Sequence, residues 1–299
     1  MELNTLEVTE QPEGLRFTSI RELVNRTLNQ NFGAAAVTDG IPSGFNALDK
    51  VLGGFKKGHL YTVAVRPGMG KTAFLLSLVN NMAIKNNFGV AIFSFERSNT
   101  KMTSRLIESE TGMSLDKLVS GQMKESERDH MLSLLGNIAK APIFIDDSPA
   151  PPADQMRQKM EALETTQAVD AIVIDYLELL SLDPASETDR PALLERSIEH
   201  IRDAARKLDL PVLLFSQSAG YSNGHNQDKQ QRLSALPEFI RKQSDVSMLL
   251  HRRDAFPRSL LNKNEHSVEL VVTTENPGAE VEIVPLNFIE SIAKFTDIS

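Results

Sequence analysis

Arg66, Pro67, Gly68, Met69, Gly70, Lys71 and Thr72 combine two glycines, a primary amine and a hydroxyl at a spacing suited to gripping a polyphosphate. The glycines let successive backbone N–H groups turn inward onto phosphate oxygens, and a helix starting at the lysine adds the partial positive charge of its first turn. Lys71 would then reach the β- and γ-phosphates of a nucleotide such as ATP, while the Thr72 hydroxyl would ligate Mg²⁺. The general pattern asks for Gly six residues before the lysine, and this chain has Val65 there. A plain glycine turn ahead of a core helix is the competing reading. What separates the two is the context on either side.

That context is a strand followed by a helix. The apolar run 60–65 leads into the loop, and Phe74, Leu75, Leu78, Val79 and Met82 then share one face of an amphipathic helix over 72–85. Strand-length apolar runs recur at 90–95, 143–146, 171–175 and 212–216. Helical patterns lie between them at 101–110, 124–139, 153–164 and 191–208. Such alternation predicts an α/β fold with a mostly parallel sheet flanked by helices. Apolar segments at 247–250, 268–272 and 281–286 are expected as extra strands at the sheet edge.

The residues upstream read differently. Residues 1–18 hold four Glu and one Arg and are expected to be a disordered acidic tail. Ser19 and Glu22 make a capping box ahead of Ile20, Leu23, Val24 and Leu28, so a helix is expected to end near Gly33. A small, polar linker over 34–44 follows. The domain plan is thus a tail over 1–18, a linker helix and linker over 19–40, and an ATPase domain over 41–299.

On an open parallel sheet ligands lodge at the carboxyl ends of the strands, so the remaining chemistry should come from there. Asp175 closes the run 171–174 and could support the Mg²⁺ shell; Glu96 follows 90–95 and could orient and deprotonate an attacking water. Each could instead be an ordinary cap or surface charge. Gln217 follows the strand 212–216 and could report the γ-phosphate to the polar loop 218–231. Asp146 and Asp147 precede a proline-rich turn and are expected as turn and cap residues.

Composition narrows the classes further. A chain of 299 residues with 41% hydrophobic and 24% charged residues can build one large core. With no cysteine there is neither a disulfide nor a thiolate metal site. The amino terminus lacks an apolar core and no apolar run approaches a membrane span, so a cytoplasmic protein without a membrane partner is expected. A net charge of −8 argues against coating nucleic acid by bulk electrostatics. Between Lys229 and Lys263, however, eight basic residues face three acidic ones. Lys229, Arg232, Arg241 and Lys242 are the candidate contacts to DNA phosphates, the alternative being a solvated charged face.

With these residues placed, the chain resembles the C-terminal motor domain of the DnaB-family replicative helicases. Ile41-Pro42-Ser43-Gly44-Phe45 with Leu48-Asp49 and Gly53-Gly54 resembles the family's first motif, and the stretch from Val65 to Thr72 resembles its phosphate loop, which also lacks the first Gly. Ser94-Phe95-Glu96, Ile145-Asp146-Asp147-Ser148, Ile174-Asp175-Tyr176-Leu177 and Ser216-Gln217 follow in the family's order. The resemblance implies a RecA-like core, ATP and Mg²⁺ dependence, a homo-oligomeric ring of six subunits, and 5′ to 3′ movement on single-stranded DNA. It also implies that the helix near 19–31 docks on a neighbouring subunit. Forty residues precede Ile41, so the family's N-terminal, primase-contacting domain is expected to have no counterpart, and primase contact is not expected.

Two departures bear on turnover. Where the family places Lys and Arg before an Asn, this chain reads Thr273-Thr274-Glu275-Asn276. An arginine finger is worth about 10³ to 10⁵ in rate, and Arg252, Arg253 or Arg258 would have to substitute for it. The DNA-facing loop reads Ser234-Ala235-Leu236-Pro237-Glu238, one basic residue short of the family pattern. Three readings therefore stand: an ATP-driven helicase or translocase; a related scaffold that binds ATP, assembles and turns over slowly; and a RecA-fold recombinase or clock-type ATPase, which fits 41–54 and 94–96 less well.

Overall fold

Runs of Val, Ile and Leu that are apolar at successive positions suit strands covered on both faces, and this chain places them in the middle of its sheet. The computed structural model describes residues 40–66, 68–114, 125–166, 168–180, 190–217, 237–252, 265–274 and 281–298. In chain order its elements are α1 (Asn46–Leu52), β1 (Leu60–Val65), α2 (Lys71–Val79), β2 (Val90–Ser94), α3 (Asn99–Thr111) and α4 (Glu125–Lys140). Then come β3 (Ile143–Asp146), α5 (Ala153–Thr166), β4 (Ala171–Asp175), α6 (Arg190–Leu208), β5 (Val212–Gln217) and α7 (Glu238–Gln243). The chain finishes with β6 (Val246–Arg252), β7 (Glu265–Thr274), β8 (Glu282–Ile289) and β9 (Lys294–Asp297).

The nine strands form one sheet in the order β3-β2-β4-β5-β1-β6-β7-β8-β9. From β3 to β6 all neighbours are parallel, and from β6 to β9 they are antiparallel. Period-two alternation divides the core between the two faces. Val63, Val65, Ile92, Val173, Leu213 and Phe215 pack with α1, α2 and α3 on one side. Leu60, Ala64, Ile172, Ile174 and Leu214 face the other, against Met156 and Met160 of α5 and Ile198, Ile201 and Ala205 of α6.

Three features depart from the sequence-based expectations. The helix after the phosphate loop is not amphipathic: every residue from Thr72 to Val79 is buried. Its outer side is covered by β9, whose Phe295 ring lies 5.4 Å from that of Phe74. The same helix loosens into a π-helical stretch at Asn80–Lys85 instead of running on as one α-helix. The linker expected over 34–44 ends earlier than residue 44, because Ile41 and Ser43 are buried and Ile41 bridges Phe55. The carboxylate of Asp49 ties this turn down, accepting from the Ser43 N–H at 2.7 Å and the Gly44 N–H at 3.1 Å. The helix and tail expected upstream of residue 40 lie outside the described residues.

Candidate active site

The parallel register sets the strand ends side by side. Val65 pairs with Gln217 and Ser94 with Asp175, so β1, β5, β2 and β4 deliver their carboxyl ends to one edge. The loop leaving β1 turns through Gly68 at φ +79° and Gly70 at φ +88°, a left-handed backbone that favours glycine. Gly70 also lies so close to β9 that a Cβ there would sit 3.2 Å from the Phe295 ring. No side chain caps the start of α2. Its first N–H groups are therefore left to a ligand or to water. Arg66, Gly68, Gly70, Lys71 and Thr72 line a cavity of about 280 Å³, together with Glu96, Arg97, Arg105, Gln217 and Phe288. Met69 packs partly against the core, and Pro67 lies outside the described residues.

Lys71 draws the two acids together. Its Nζ donates to Glu96 Oε2 at 2.7 Å and to Asp175 Oδ1 at 2.6 Å, and sits 3.6 Å from the centre of the Tyr176 ring. Asp175 is wholly buried, and that burial pushes its carboxyl above the usual range even though the ammonium of Lys71 pulls the other way. Its second oxygen, Oδ2, is buried with no hydrogen-bond partner. An orphaned carboxylate oxygen of this kind suits a cation. Among the described residues no group of three or more His, Cys, Asp or Glu could hold a metal by itself. The site thus fits an ion of the Mg²⁺ type, which takes one or two protein ligands and completes its shell with phosphate oxygens and water. Thr72, the residue after Lys71, is buried, and its hydroxyl accepts from Arg97 Nε at 3.2 Å.

Gln217 lines the same cavity, and its backbone N–H donates to Glu178 Oε1 at 3.0 Å. Glu178, on the short 3₁₀ turn after β4, also accepts from the Ser216 hydroxyl, and its burial pushes its carboxyl upward. Neither Glu178 nor Arg97 was expected from the sequence. Arg97 adjoins Glu96 and could have been found from that adjacency, whereas Glu178 needed the register of β4 against β5. Asp146 and Asp147 behave as turn and cap groups: Asp146 accepts from the Ser148 N–H at 2.9 Å and Asp147 from the N–H of Asn99, the first residue of α3, at 2.8 Å.

Of the candidate DNA contacts, the two that are described, Arg241 and Lys242, do not line this cavity. Arg241 and Lys242 lie on α7, where Lys242 pairs with Glu238 at 2.8 Å on an exposed surface and Arg241 is half-buried. Lys229, Arg232 and Glu275 fall outside the described residues, as do Arg253 and Arg258. No described helix is long and apolar enough to cross a membrane.

A strand, a glycine loop and a helix start of this kind suit a phosphate ligand without fixing one family; comparison with known proteins narrows the choice. Residues 40–297 match the family model of the DnaB-like helicase C-terminal domain. The chain belongs to this family. Its relatives include the replicative DNA helicase DnaB of Geobacillus stearothermophilus, 30% identical over 298 residues, which cover 98% of this chain and 65% of that protein. The chain is also similar to a DnaB-like replicative helicase solved in a study of its interactions with primase. That match has a TM-score of 0.70 at 25% identity and covers 95% of this chain and 68% of the other. The ATPase domain of G40P superposes with a TM-score of 0.71 at 24% identity over 95% of this chain and all of that one. The sheet is accordingly that of a RecA-like DnaB-family domain, and the recombinase reading gives way to the family match.

Proposed function

We propose that this DnaB-family chain is an ATP-driven translocase or helicase, with Lys71, Thr72, Glu96, Asp175 and Gln217 as its working residues. The observation that supports this most is the Lys71 ammonium, held at 2.6 and 2.7 Å between two strand-end carboxylates at the mouth of a glycine cradle. Arg66, Pro67, Gly68, Met69 and Gly70 supply the loop around the triphosphate of ATP, and Lys71 binds its outer phosphates. A phosphate oxygen that takes over the ammonium leaves Glu96 Oε2 free to accept a proton from water. As that water oxygen bonds to the γ-phosphorus, the bond to the bridging oxygen breaks, its electron pair leaves on ADP, and phosphate is released. Thr72 and Asp175 are the residues that would hold Mg²⁺, which neutralises phosphate charge when bound. Gln217, tied through its backbone to Glu178, carries the change at the γ-phosphate into the loop that follows β5.

Lys229, Arg232, Arg241 and Lys242 are the proposed contacts to single-stranded DNA, and the working form is a homo-oligomer, a six-membered ring moving 5′ to 3′. Primase contact is not part of the proposal. Mass and ATP turnover of the purified protein with Mg²⁺, with and without single-stranded DNA, test it. DNA should stimulate hydrolysis, and Glu96→Gln should lower it by about 10² to 10⁴. Equal rates with and without DNA in the wild type count against a motor. Tight nucleotide binding with negligible turnover would instead favour the slow scaffold.

A further inference from the structure

Arg97 stands one residue beyond Glu96, on the turn between β2 and α3, and the chemistry above makes no use of it. Its backbone is held by one hydrogen bond and adjoins a helix cap. The buried Ser94 hydroxyl donates to the Arg97 carbonyl at 2.7 Å, and Ser98 caps α3 by accepting from the Lys101 N–H at 3.4 Å. From this base the side chain enters the cavity, 28% exposed, and its Nε donates to Thr72 Oγ1 at 3.2 Å. Among the described residues this is the one hydrogen bond its guanidinium makes. Glu96 is the nearest acid, yet its Oε1 lies 3.9 Å from Arg97 Nη2, beyond hydrogen-bond distance, while its Oε2 is committed to Lys71.

A guanidinium carries five N–H donors, and here most remain for a ligand. Among the described residues four cations, Arg66, Lys71, Arg97 and Arg105, line the cavity, against Glu96 in its lining and the neighbouring Asp175. Such an excess favours a polyanion. A phosphate oxygen brought to Lys71 and Thr72 therefore comes within reach of Arg97, whose planar fork suits phosphate. We propose that Arg97 is a phosphate ligand acting from within the same subunit. Its guanidinium contacts the terminal phosphate of a bound triphosphate and stabilises the charge that builds there as the bond to the leaving diphosphate breaks. The inference rests on the nucleotide site proposed above and adds to it a residue that distinguishes triphosphate from diphosphate.

Affinities for ADP and for a non-hydrolysable ATP analogue, measured with Mg²⁺ on the wild type, Arg97→Ala, Arg97→Lys and Arg97→Gln, test this together with kcat and KM for ATP. Arg97→Ala should lose about tenfold or more in affinity for the analogue, as expected for a hydrogen bond to a charged group, while ADP binding stays nearly unchanged. Its kcat should fall about 10²-fold, with partial recovery in Arg97→Lys, which keeps the charge but not the fork. If Arg97 merely tethers Thr72, both nucleotides weaken alike, and that overturns the inference. Arg97→Gln carries the same comparison should the alanine variant fail to fold. A wild type that binds neither nucleotide overturns the nucleotide site and this inference together. Normal wild-type binding with an unchanged ratio in the variants overturns the inference alone.

Discussion

Replacing Lys71 by Met keeps the apolar stem and removes the ammonium, and the consequence falls on Asp175. That carboxylate is fully buried, takes its one side-chain hydrogen bond from Lys71 at 2.6 Å, and leaves its other oxygen without a partner. Among the described residues the variant would leave it no hydrogen-bond donor. Breaking a buried ion pair in this way costs about 3 to 5 kcal/mol. The lower end is expected here, because Glu96 is partly exposed and turns to water. For a domain of this size about 3 kcal/mol lowers the Tm by roughly 6 to 12 °C. Burial already raises the Asp175 carboxyl in the folded protein, with Lys71 opposing, so the variant pushes it further. A raised folded-state pKa means that the folded chain binds more protons than the unfolded one between the two values. Stability is then lost as the pH rises through that window and regained on acidification. Urea titrations of nucleotide-free protein at pH 8 and near pH 5.5 should show the penalty shrinking at the lower pH. A second change, Asp175→Asn, should recover most of it. A Lys71→Met protein as stable as wild type at pH 8, or a double variant no better than the single, would refute the reasoning.

Two further outcomes follow from features away from the acids. Burial pushes the Tyr61 phenol up to about 12, against the N–H of Lys56 donating to its oxygen at 2.7 Å. Ultraviolet titration should show one of the three tyrosines ionising near that value, and stability held below about pH 10 should decline as the pH rises toward 12; three tyrosines titrating together near 10 would contradict this. Gly89→Ala would place a Cβ 2.0 Å from the Ala168 carbonyl oxygen, where backbone hydrogen bonds from Asp170 and Ala171 to Gly89 hold the two segments together. It should cost about 1 to 3 kcal/mol by overpacking, and a melting curve matching wild type would show that this approach is not tight.

The strands were legible because their apolar runs are continuous: those expected at 143–146 and 171–175 are found at Ile143–Asp146 and Ala171–Asp175. The order of the sheet was not legible. Nothing local says that β5 inserts between β4 and β1, since this depends on long-range pairing such as Val65 with Gln217. Short elements escaped for the same reason. The strand Lys294–Asp297 has a marginal pattern of its own and owes its place to pairing with β8 and to the packing of Phe295 on Phe74. That contact is also why α2 is buried all round, which its sequence periodicity concealed. In the site, the glycine loop pointed to Lys71 and residue types at strand ends to Glu96, Asp175 and Gln217, and the structure gathers these four at one edge. Arg97 and Glu178 hydrogen-bond to residues distant in sequence, Thr72 and Gln217; adjacency to Glu96 hints at Arg97, whereas only the folded register brings in Glu178.

The central claim is that the backbone cradle and the ammonium between residues 66 and 72 grip a triphosphate, and binding of a fluorescent ATP analogue tests it most directly. Wild type and Lys71→Ala would be titrated with and without Mg²⁺, the folded state of both being checked by circular dichroism. Wild type should bind more tightly with the metal, and the folded variant should be weaker by about 30-fold or more. Equal affinity in the two proteins, indifferent to Mg²⁺, would contradict the account.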